Sequence, residues 1–246
     1  NHARAVSLVD ESANHVDNVH FANSTVTNYP TQDGVGKQFT ISGPQHTTKE
    51  AFIGNTSSIL LDGIDDYVEM PDSADWDFHG DAMTVDVWFK VNEMPSSAYA
   101  SLISNADGSG TSWGNMGWMI HMLGGGQSHP GGLQFQASNG GGTGITITTT
   151  ASQFDRLDDK IWHHAAFTRD GSNNTRCYVD GILIGTTTTA WDTGDVAFET
   201  RLGWGYHTTM WLNGYLDEAR VVKGTRDIPQ IKWTHTQTAG AGNKDA

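Results

Sequence analysis

The sequence is poor in the residues that build cross-linked, thiolate-bound or helical proteins. It has one cysteine, Cys177, among 246 residues, which excludes an internal disulfide framework and Cys-ligated zinc or iron–sulfur sites. Charged residues make up only 17%, against about 25% in typical globular domains. A helical protein would be dominated by Ala, Glu, Lys and Leu, whereas Gly, Thr, Ser and Asn are abundant here. No apolar run approaches the roughly 18 residues of a transmembrane helix, so the sequence predicts no membrane-spanning segment.

Positive charge is also scarce. The chain has 14 Lys and Arg against 28 Asp and Glu, a formal net charge of −14. Such an excess of carboxylates repels phosphate backbones and anionic lipid surfaces, so neither nucleic acid nor a membrane is expected as a partner. The same charge attracts divalent cations. The chain begins at Asn1 without an initiating Met, and we expect either a processed form or a piece of a longer protein.

What is present indicates short strands joined by tight turns. Residues 83–91 (MTVDVWFKV) alternate between two faces, with Met83, Val85, Val87, Phe89 and Val91 on one of them. Residues 175–188 form a predicted hairpin, because the Asp-Gly pair at 180–181 suits a tight turn with positive φ. About a dozen such segments predict an all-β protein with two stacked antiparallel sheets over roughly residues 38–223.

The composition does not break along the chain, so we expect one folded domain. Residues 1–50 are predicted to form an N-terminal arm that contributes edge strands, residues 51–233 the sandwich, and residues 234–246 a polar tail. The one candidate helix is a single turn within residues 225–233.

Five segments fall in the order and spacing of a known family. They are LDGIDDYVEMPDSADWDF (61–78), MTVDVWFKV (83–91), WHHAAFTRDG (162–171), RCYVDGILIGT (176–186) and LNGYLDEARVVKGTR (212–226). Together they resemble laminin-G-like (concanavalin A-like) jelly-roll domains, in the version found in bacteriophage virion proteins such as tail fibres. After Arg226 the sequence departs from the family pattern, with DIPQIKW where an aromatic residue is expected.

The resemblance implies a two-sheet antiparallel jelly-roll sandwich and a non-enzymatic structural protein of a phage particle surface. Such a protein would be extracellular or exposed on the virion, and would assemble with copies of itself and with other virion proteins. A module that binds cell-surface glycans is the alternative function, because the same fold hosts lectins as well as structural domains and glycosidases.

A polysaccharide-degrading enzyme is the less favoured alternative. Glycosidases of this fold carry E-x-D-x-x-E on one strand, which points an acid and a nucleophile into one cleft, and this run is absent. HExxH does not occur, and the G-x-S-x-G run at residues 110–114 (GTSWG) lacks the preceding strand and following helix of a nucleophile elbow. The adjacent His163 and His164 would point to opposite faces of a strand. The nearest carboxylate clusters lie in predicted turns: Asp62 with Asp65 and Asp66, and Asp155 with Asp158 and Asp159.

Several aromatic residues lie in glycine-rich segments, where they are candidates for binding a glycan. Aromatic rings stack on the apolar faces of sugars. The same rings more commonly cap the ends of a sandwich or fill a subunit interface, and both alternatives stay open. The candidates are Trp113, Trp204, Tyr206, His207 and Trp211.

The last strand, residues 215–224, suggests a structural calcium ion. Simple alternation places Asp217 with Ala219 and Val221 on a core-facing row, where an unpaired carboxylate would be costly. The alternative is that Asp217 accepts hydrogen bonds from backbone N–H groups or from Tyr67 without an ion.

The resemblance implies the partners of that aspartate. In related jelly rolls the aspartate of the closing strand holds Ca²⁺ together with the opening strands, and oxygen ligands of this kind suit the ion. The predicted calcium ligands are therefore Asp217 and the acidic turn of Asp62, Gly63, Asp65 and Asp66.

Overall fold

The protein is described by a computed structural model that covers residues 39–52, 57–73, 78–94, 99–107, 116–138, 144–193, 197–225 and 228. These residues form fourteen strands and no helix. In chain order the strands are β1 (Thr40–Ser42), β2 (Gln45–Thr47), β3 (Ser58–Asp62), β4 (Tyr67–Met70), β5 (Met83–Val91), β6 (Tyr99–Ala106), β7 (Met116–Leu123), β8 (Leu133–Ser138), β9 (Gly144–Thr148), β10 (His163–Arg169), β11 (Thr175–Val179), β12 (Ile182–Thr187), β13 (Thr200–Leu202) and β14 (Asn213–Lys223). Nothing in the described part of the chain forms a helix that could span a bilayer.

The strands form two antiparallel sheets of seven strands each, which confirms the predicted sandwich. Sheet 1 has the order β1-β4-β13-β6-β7-β8-β9, and sheet 2 has the order β12-β11-β10-β5-β14-β3-β2. Neighbours distant in sequence, such as β5 and β14, pair in the centre of sheet 2. The two sheets enclose one large hydrophobic cluster.

The first two described strands form the edge of each sheet. β1 pairs with β4 in sheet 1, and β2 pairs with β3 in sheet 2. Between them Gly43 has a φ of 74°, and a Cβ there would lie 1.8 Å from Oδ1 of Asp66. Only glycine fits this corner. The predicted arm before residue 39, the tail at 234–246 and nearly all of the candidate helical turn at 225–233 lie outside the described residues.

The alternation predicted for β5 is present in the structure. Its five apolar residues from Met83 to Val91 are fully buried between the sheets. The opposite face of the strand is buried as well: Asp86 is 0% exposed and Trp88 6%. Phe52 stacks on Trp88, with ring centroids 3.4 Å apart and an interplanar angle of 10°. The central strand of sheet 2 therefore has two buried faces.

β6 is a strand that the sequence pattern did not indicate. Its register with β7 shifts at two places, between Ser101 and Ile103 and between Asn105 and Ala106. Each bulge breaks the period of two by which a strand is recognised. The polar residues of β6 are buried along with its apolar ones, so hydropathy did not mark the strand either.

A bulge also changes which residues of β14 face the core. The register with β5 shifts between Asp217 and Arg220, and Glu218 has a φ of 47°. As a result Leu216, Ala219 and Val221 belong to the core cluster, and Asp217 lies opposite Trp88 on the outer face of sheet 2. The predicted core-facing position of Asp217 is wrong, because uniform alternation does not allow for the extra residue.

The hairpin of β11 and β12 has the predicted turn. Asp180 and Gly181 have φ values of 50° and 74°, as a tight two-residue hairpin requires. The Asp180 carboxylate accepts a hydrogen bond from the backbone N–H of His164 at 2.8 Å and contacts Nδ1 of His163 at 2.7 Å. Nε2 of His163 lies 3.0 Å from Asp159. Burial opposes the charge of His163, but these two carboxylates outweigh it and raise its pKa above the ordinary value.

We expect Asp180→Asn to destabilise the protein mainly at acidic pH. The variant keeps a side chain that tolerates positive φ and can accept the His164 N–H, but it loses the charge beside His163. Because the folded pKa of His163 is raised, the stabilisation is complete below the unfolded pKa of about 6.5. It is lost as the pH rises through the folded pKa. Chemical denaturation at pH 5.5 should show a loss of about 1–2 kcal/mol, and the loss should shrink by pH 8.5. A loss that does not depend on pH, or an equal loss in the exposed control Asp72→Asn, would contradict the assignment.

Candidate functional site: an aromatic loop beside an aspartate turn

The loop of residues 203–212 joins β13 to β14 and has a defined backbone. Gly203 has a φ of 84°, and a Cβ there would lie 2.9 Å from the side chain of Leu61. The N–H of Leu212 donates to the carbonyl of Gly203 at 3.0 Å, and the N–H of Met210 donates to the carbonyl of His207 at 3.1 Å. These bonds close the loop on itself and hold its side chains in fixed positions.

Three aromatic rings, Tyr67, Trp204 and Trp211, form a cluster that we call the aromatic platform. The indoles of Trp204 and Trp211 are stacked, with centroids 4.7 Å apart and an interplanar angle of 13°. Tyr67, the first residue of β4, lies 5.1 Å from Trp204 and 6.0 Å from Trp211. All three rings are partly exposed. The loop thus presents a preformed aromatic surface.

The polar edges of both indoles are satisfied within the loop. Nε1–H of Trp204 donates to the carbonyl of His207 at 3.1 Å, and Nε1–H of Trp211 donates to the carbonyl of Thr208 at 2.8 Å. A ligand would therefore meet the rings without having to provide acceptors for their N–H groups.

Arg201 supports the platform from beneath. Its guanidinium carbon lies 4.5 Å from the ring centroid of Trp204, and its side chain is only 5% exposed. It is held by Glu69 at 2.7 Å, by Glu199 at 2.9 Å and by the carbonyl of Ala106. A cation fixed over an indole in this way adds to the rigidity of the platform.

The structure divides the five glycan candidates of the sequence. Trp204 and Trp211 belong to the platform. Tyr206 instead packs against a separate hydrophobic cluster that includes Met119 and Met210, and His207 bonds within its own loop through Nδ1 to Oγ1 of Thr209 at 2.9 Å. Trp113 lies outside the described residues. Tyr67 was not among the predicted glycan contacts, since it lies about 140 residues from the loop and only the pairing of β4 with β13 brings it near.

The aspartate turn, residues 62–66, leads directly into Tyr67. Asp62 accepts a hydrogen bond from the N–H of Ile64 at 2.8 Å, and Asp66 accepts one from the N–H of Asp62 at 2.8 Å. Oxygens from the three carboxylates of Asp62, Asp65 and Asp66 lie within 4.8 Å of one another. Gly63, with a φ of 81°, provides the turn. The predicted acidic cluster thus lies beside the aromatic platform.

Electrostatics within the turn favour a neutralising partner. Burial raises the pKa of Asp66, the hydrogen bond from Asp62 opposes this, and the charges of Asp62 and Asp65 raise it further. A cation near these oxygens would relieve the repulsion.

Asp217 does not join this cluster. Asn213 is the residue of β14 that pairs with Asp62, so Asp217 lies four residues farther along the strand, roughly 13 Å away. Its oxygens accept hydrogen bonds from the N–H groups of Phe52 at 3.0 Å and Glu218 at 2.9 Å. This is the backbone alternative considered from the sequence, without Tyr67, which lies in the other sheet. The structure therefore does not bring together the two halves of the predicted calcium site.

Residues 62–232 match the family described as the concanavalin A-like lectin/glucanase superfamily. No curated protein matches the sequence.

Solved structures share the fold at low sequence identity. The binding domain of Paraclostridial Mosquitocidal Protein 1 has a TM-score of 0.61 at 16% identity and covers 92% of this chain and 50% of that one. Domain 4 of AbnA, an extracellular arabinanase from Geobacillus stearothermophilus, was solved in complex with arabinotriose and has a TM-score of 0.58 at 16% identity. That match covers 81% of this chain and 90% of the arabinanase domain. The binding domain of botulinum neurotoxin serotype G has a TM-score of 0.58 at 11% identity, and the match covers 91% of this chain and 49% of the toxin domain. The chain spans about half the length of the toxin binding domains that it matches, and the likeness extends to the fold alone.

The calcium ion remains a prediction, now for the aspartate turn without Asp217. Ca²⁺ bound to the folded state alone should raise the melting temperature by mass action. We expect a higher melting temperature in excess CaCl₂ than in EDTA for the wild type and for the control Asp72→Asn, and no difference for Asp65→Asn. Equal melting of the wild type in both solutions, with no metal in elemental analysis, would exclude the ion.

Asp217 should make the protein less stable as the pH rises from about 4 to 7. Burial raises its pKa to about 7, the N–H of Phe52 opposes this, and the charge of Glu218 adds to it. The folded state therefore holds a proton that the unfolded chain releases near pH 4, and stability present at low pH is lost across this interval, on the order of 3 kcal/mol.

The test of this assignment is Asp217→Asn, measured in EDTA by thermal melting between pH 4 and 8. The variant loses one acceptor and should be no more stable than the wild type at pH 4. Its melting temperature relative to that of the wild type should increase as the pH rises. A constant difference between the two proteins across the range would show that Asp217 does not titrate there.

Proposed function

Because the chain belongs to the concanavalin A-like lectin/glucanase superfamily, we propose that it is a non-catalytic domain that binds glycans through the aromatic platform. The observation that carries the proposal is the stacked and partly exposed pair of Trp204 and Trp211, whose N–H groups are already satisfied. Because Arg201 and Trp211 pack against Trp204, the apolar face left for the C–H groups of a sugar ring is that of Trp211.

The surroundings of the platform supply polar contacts for the hydroxyls of a sugar. The exposed carboxylates of Asp62 and Asp65 lie in the turn that leads to Tyr67. Sugar sites combine an apolar surface with a few fixed polar groups in this way. The loop is held by its own hydrogen bonds and by the glycine at 203, so little conformational entropy is lost when a ligand binds.

The similar structures support binding by analogy of fold. Domain 4 of the arabinanase was solved with arabinotriose, and the other similar structures named above are toxin binding domains. Since one fold hosts many functions, the assignment to this chain depends on its own platform.

The arrangement of carboxylates favours binding over hydrolysis. The three carboxylates beside the platform share one turn and lie within 4.8 Å of one another. Glycosidases need two carboxyl groups on either side of the scissile bond, about 5–9.5 Å apart. A single cluster of this kind suits ion or hydroxyl binding.

We also propose that the domain works outside the cell, on the surface of a phage particle as the sequence resemblance implies. Its acidity favours solubility in such a setting. In that case the protein would assemble with its own copies and with other virion proteins, and its platform would face a glycan of the host surface. The same rings could instead fill a contact between subunits, and the experiment below separates the two roles.

We expect saturable binding on a glycan array, followed by calorimetry with the best oligosaccharide. Trp211→Ala should weaken that binding by up to about tenfold, since a stacking contact contributes up to about 1.5 kcal/mol. Tyr178→Ala, a partly exposed ring on β11, is the matched control and should bind like the wild type. Both variants should melt near the wild-type temperature.

Three outcomes would contradict the proposal. Binding that Trp211→Ala leaves unchanged would exclude the platform as the site. Absence of any array binding, together with an oligomer that Trp211→Ala dissociates in light scattering, would assign the rings to an interface. Release of reducing sugar from a polysaccharide panel, abolished by one carboxylate substitution, would make the protein an enzyme.

A further inference from the structure

A cleft lies at the end of sheet 2 opposite the aromatic platform. It is open to solvent and has a volume of about 380 Å³, within the range of small-molecule sites of roughly 300–1,000 Å³. Its walls include Gly80, Arg169, Asn173, Trp191 and Asp192.

The strand registers separate this cleft from the platform. Arg169 pairs with Met83, which pairs with Lys223 at the far end of β14. The platform lies near the beginning of β14, at Asn213. The eleven residues of the strand place the two sites roughly 30 Å apart.

Arg169 lies in the cleft and is held rigidly. The residue is 2% exposed, and its guanidinium carbon lies 4.5 Å from the ring centroid of Trp191. Trp191 is fixed in turn by a hydrogen bond from its Nε1–H to Oγ1 of Thr175 at 2.9 Å. Nη2 of Arg169 donates to Oδ1 of Asn173. The guanidinium is thus positioned before any ligand arrives.

Most of the donors of Arg169 are unused. Among the residues that the structure describes, neither Nε nor Nη1 has a hydrogen-bond partner. A guanidinium has five N–H groups, and Asn173 takes one on Nη2. When Asn173 accepts the Nη2 hydrogen that faces Nη1, the parallel N–H groups of Nε and Nη2 stay free. When Asn173 accepts the other Nη2 hydrogen, the parallel N–H groups of Nη1 and Nη2 stay free. Either way, one fork of two parallel N–H groups is left, and buried donors without acceptors are costly.

Gly80 packs directly against the end of this guanidinium. A Cβ at Gly80 would lie 3.0 Å from Nη2 and 3.6 Å from Nη1 of Arg169, and its φ is 88°. The preceding residue, His79, is exposed and has a φ of 42°. This short turn is the segment that must shift to let ligand oxygens reach the fork.

The charges around the fork determine which ligand fits. Burial lowers the pKa of Arg169, and the carboxylates of Asp192, Asp81 and Asp170 partly offset this; the group stays protonated. Three carboxylates around one cation repel an anionic ligand. A hydroxyl group both accepts and donates, so a pair of neighbouring hydroxyls can satisfy the fork and an acidic acceptor together.

We propose that this cleft is a second sugar site, which binds two adjacent hydroxyls of a neutral sugar. The fork of Arg169 donates to the two hydroxyl oxygens, and the exposed carboxylate of Asp192 accepts a hydrogen bond from a hydroxyl. The site is independent of the aromatic platform, and with both sites the domain is a bivalent glycan binder whose sites face different ends of the sandwich. Weak binding at each site then adds up on a surface that carries many copies of the sugar.

The experiment is an amide NMR titration of the full chain with D-galactose, D-mannose, L-arabinose, N-acetyl-D-glucosamine, D-glucuronic acid and N-acetylneuraminic acid. At least one neutral sugar should cause saturable shifts at Gly80, Gly171 and Asn173 with a millimolar Kd. Asp192→Ala should weaken this binding at least fivefold, and Arg169→Lys, which keeps the charge without the fork, should abolish it. Asp72→Ala, another exposed carboxylate, should leave it unchanged.

Trp211→Ala makes this test independent of the proposed function. Shifts at the cleft that persist in this variant show a second site even if the platform binds nothing. The proposal is overturned if no sugar gives saturable shifts at the cleft or if only the two acidic sugars do. It is also overturned if Asp192→Ala binds as tightly as the wild type. Asp192 is exposed, so this result does not require replacing the buried Arg169, and a melting temperature near that of the wild type checks that the variant keeps its fold.

Discussion

One extra residue in the closing strand determines the arrangement of charge in the centre of sheet 2. The bulge at Glu218 directs Arg220 to the outer face, where its guanidinium donates to Asp86 at 2.9 and 2.6 Å. Asp86 is 0% exposed and also contacts Nε2 of His164 at 3.2 Å. Burial opposes its ionisation, but His164 and Arg220 outweigh this and lower its pKa. Without the bulge Arg220 would be displaced, and a buried unpaired carboxylate costs several kcal/mol.

This buried ion pair lies in the middle of the sandwich, which is a poor place for a binding site because it is covered. The two ends are better placed to bind a ligand. Both faces of β5 are buried, so a ligand could not reach its polar residues without unfolding the sheet. At the two ends, loops form surfaces open to solvent beside side chains that the strands hold in place. The stacked Trp204 and Trp211 lie at one end and the cleft of Arg169 at the other, each fixed by hydrogen bonds from neighbouring strands or loops.

Much of the fold could be predicted from the sequence, because strands such as β5 and the Asp180–Gly181 hairpin follow local rules. The strand β6 and the facing of Asp217 could not, because bulges break the period of two on which such predictions rest. The site was predictable in part. Trp204 and Trp211 were found by their glycine-rich setting, but Tyr67 reaches them through strand pairing over a long sequence separation. Asp217 is buried on the outer face and accepts a hydrogen bond from Phe52, 165 residues away in sequence, a contact that has no local signal.

The corner at Gly43 gives the domain a mechanical property. One short segment forms the edge of sheet 1 with β1 and the edge of sheet 2 with β2, and its bend packs against Asp66 of the aspartate turn. Tension applied from the N-terminal side would pull β1 away from β4 before it reaches β2. Both strands have only three residues. They would therefore detach one after the other, while the long central strands stay paired. In a protein anchored through its N-terminal side, this segment would act as a compliant tether. Its first movement would displace the aspartate turn beside the platform.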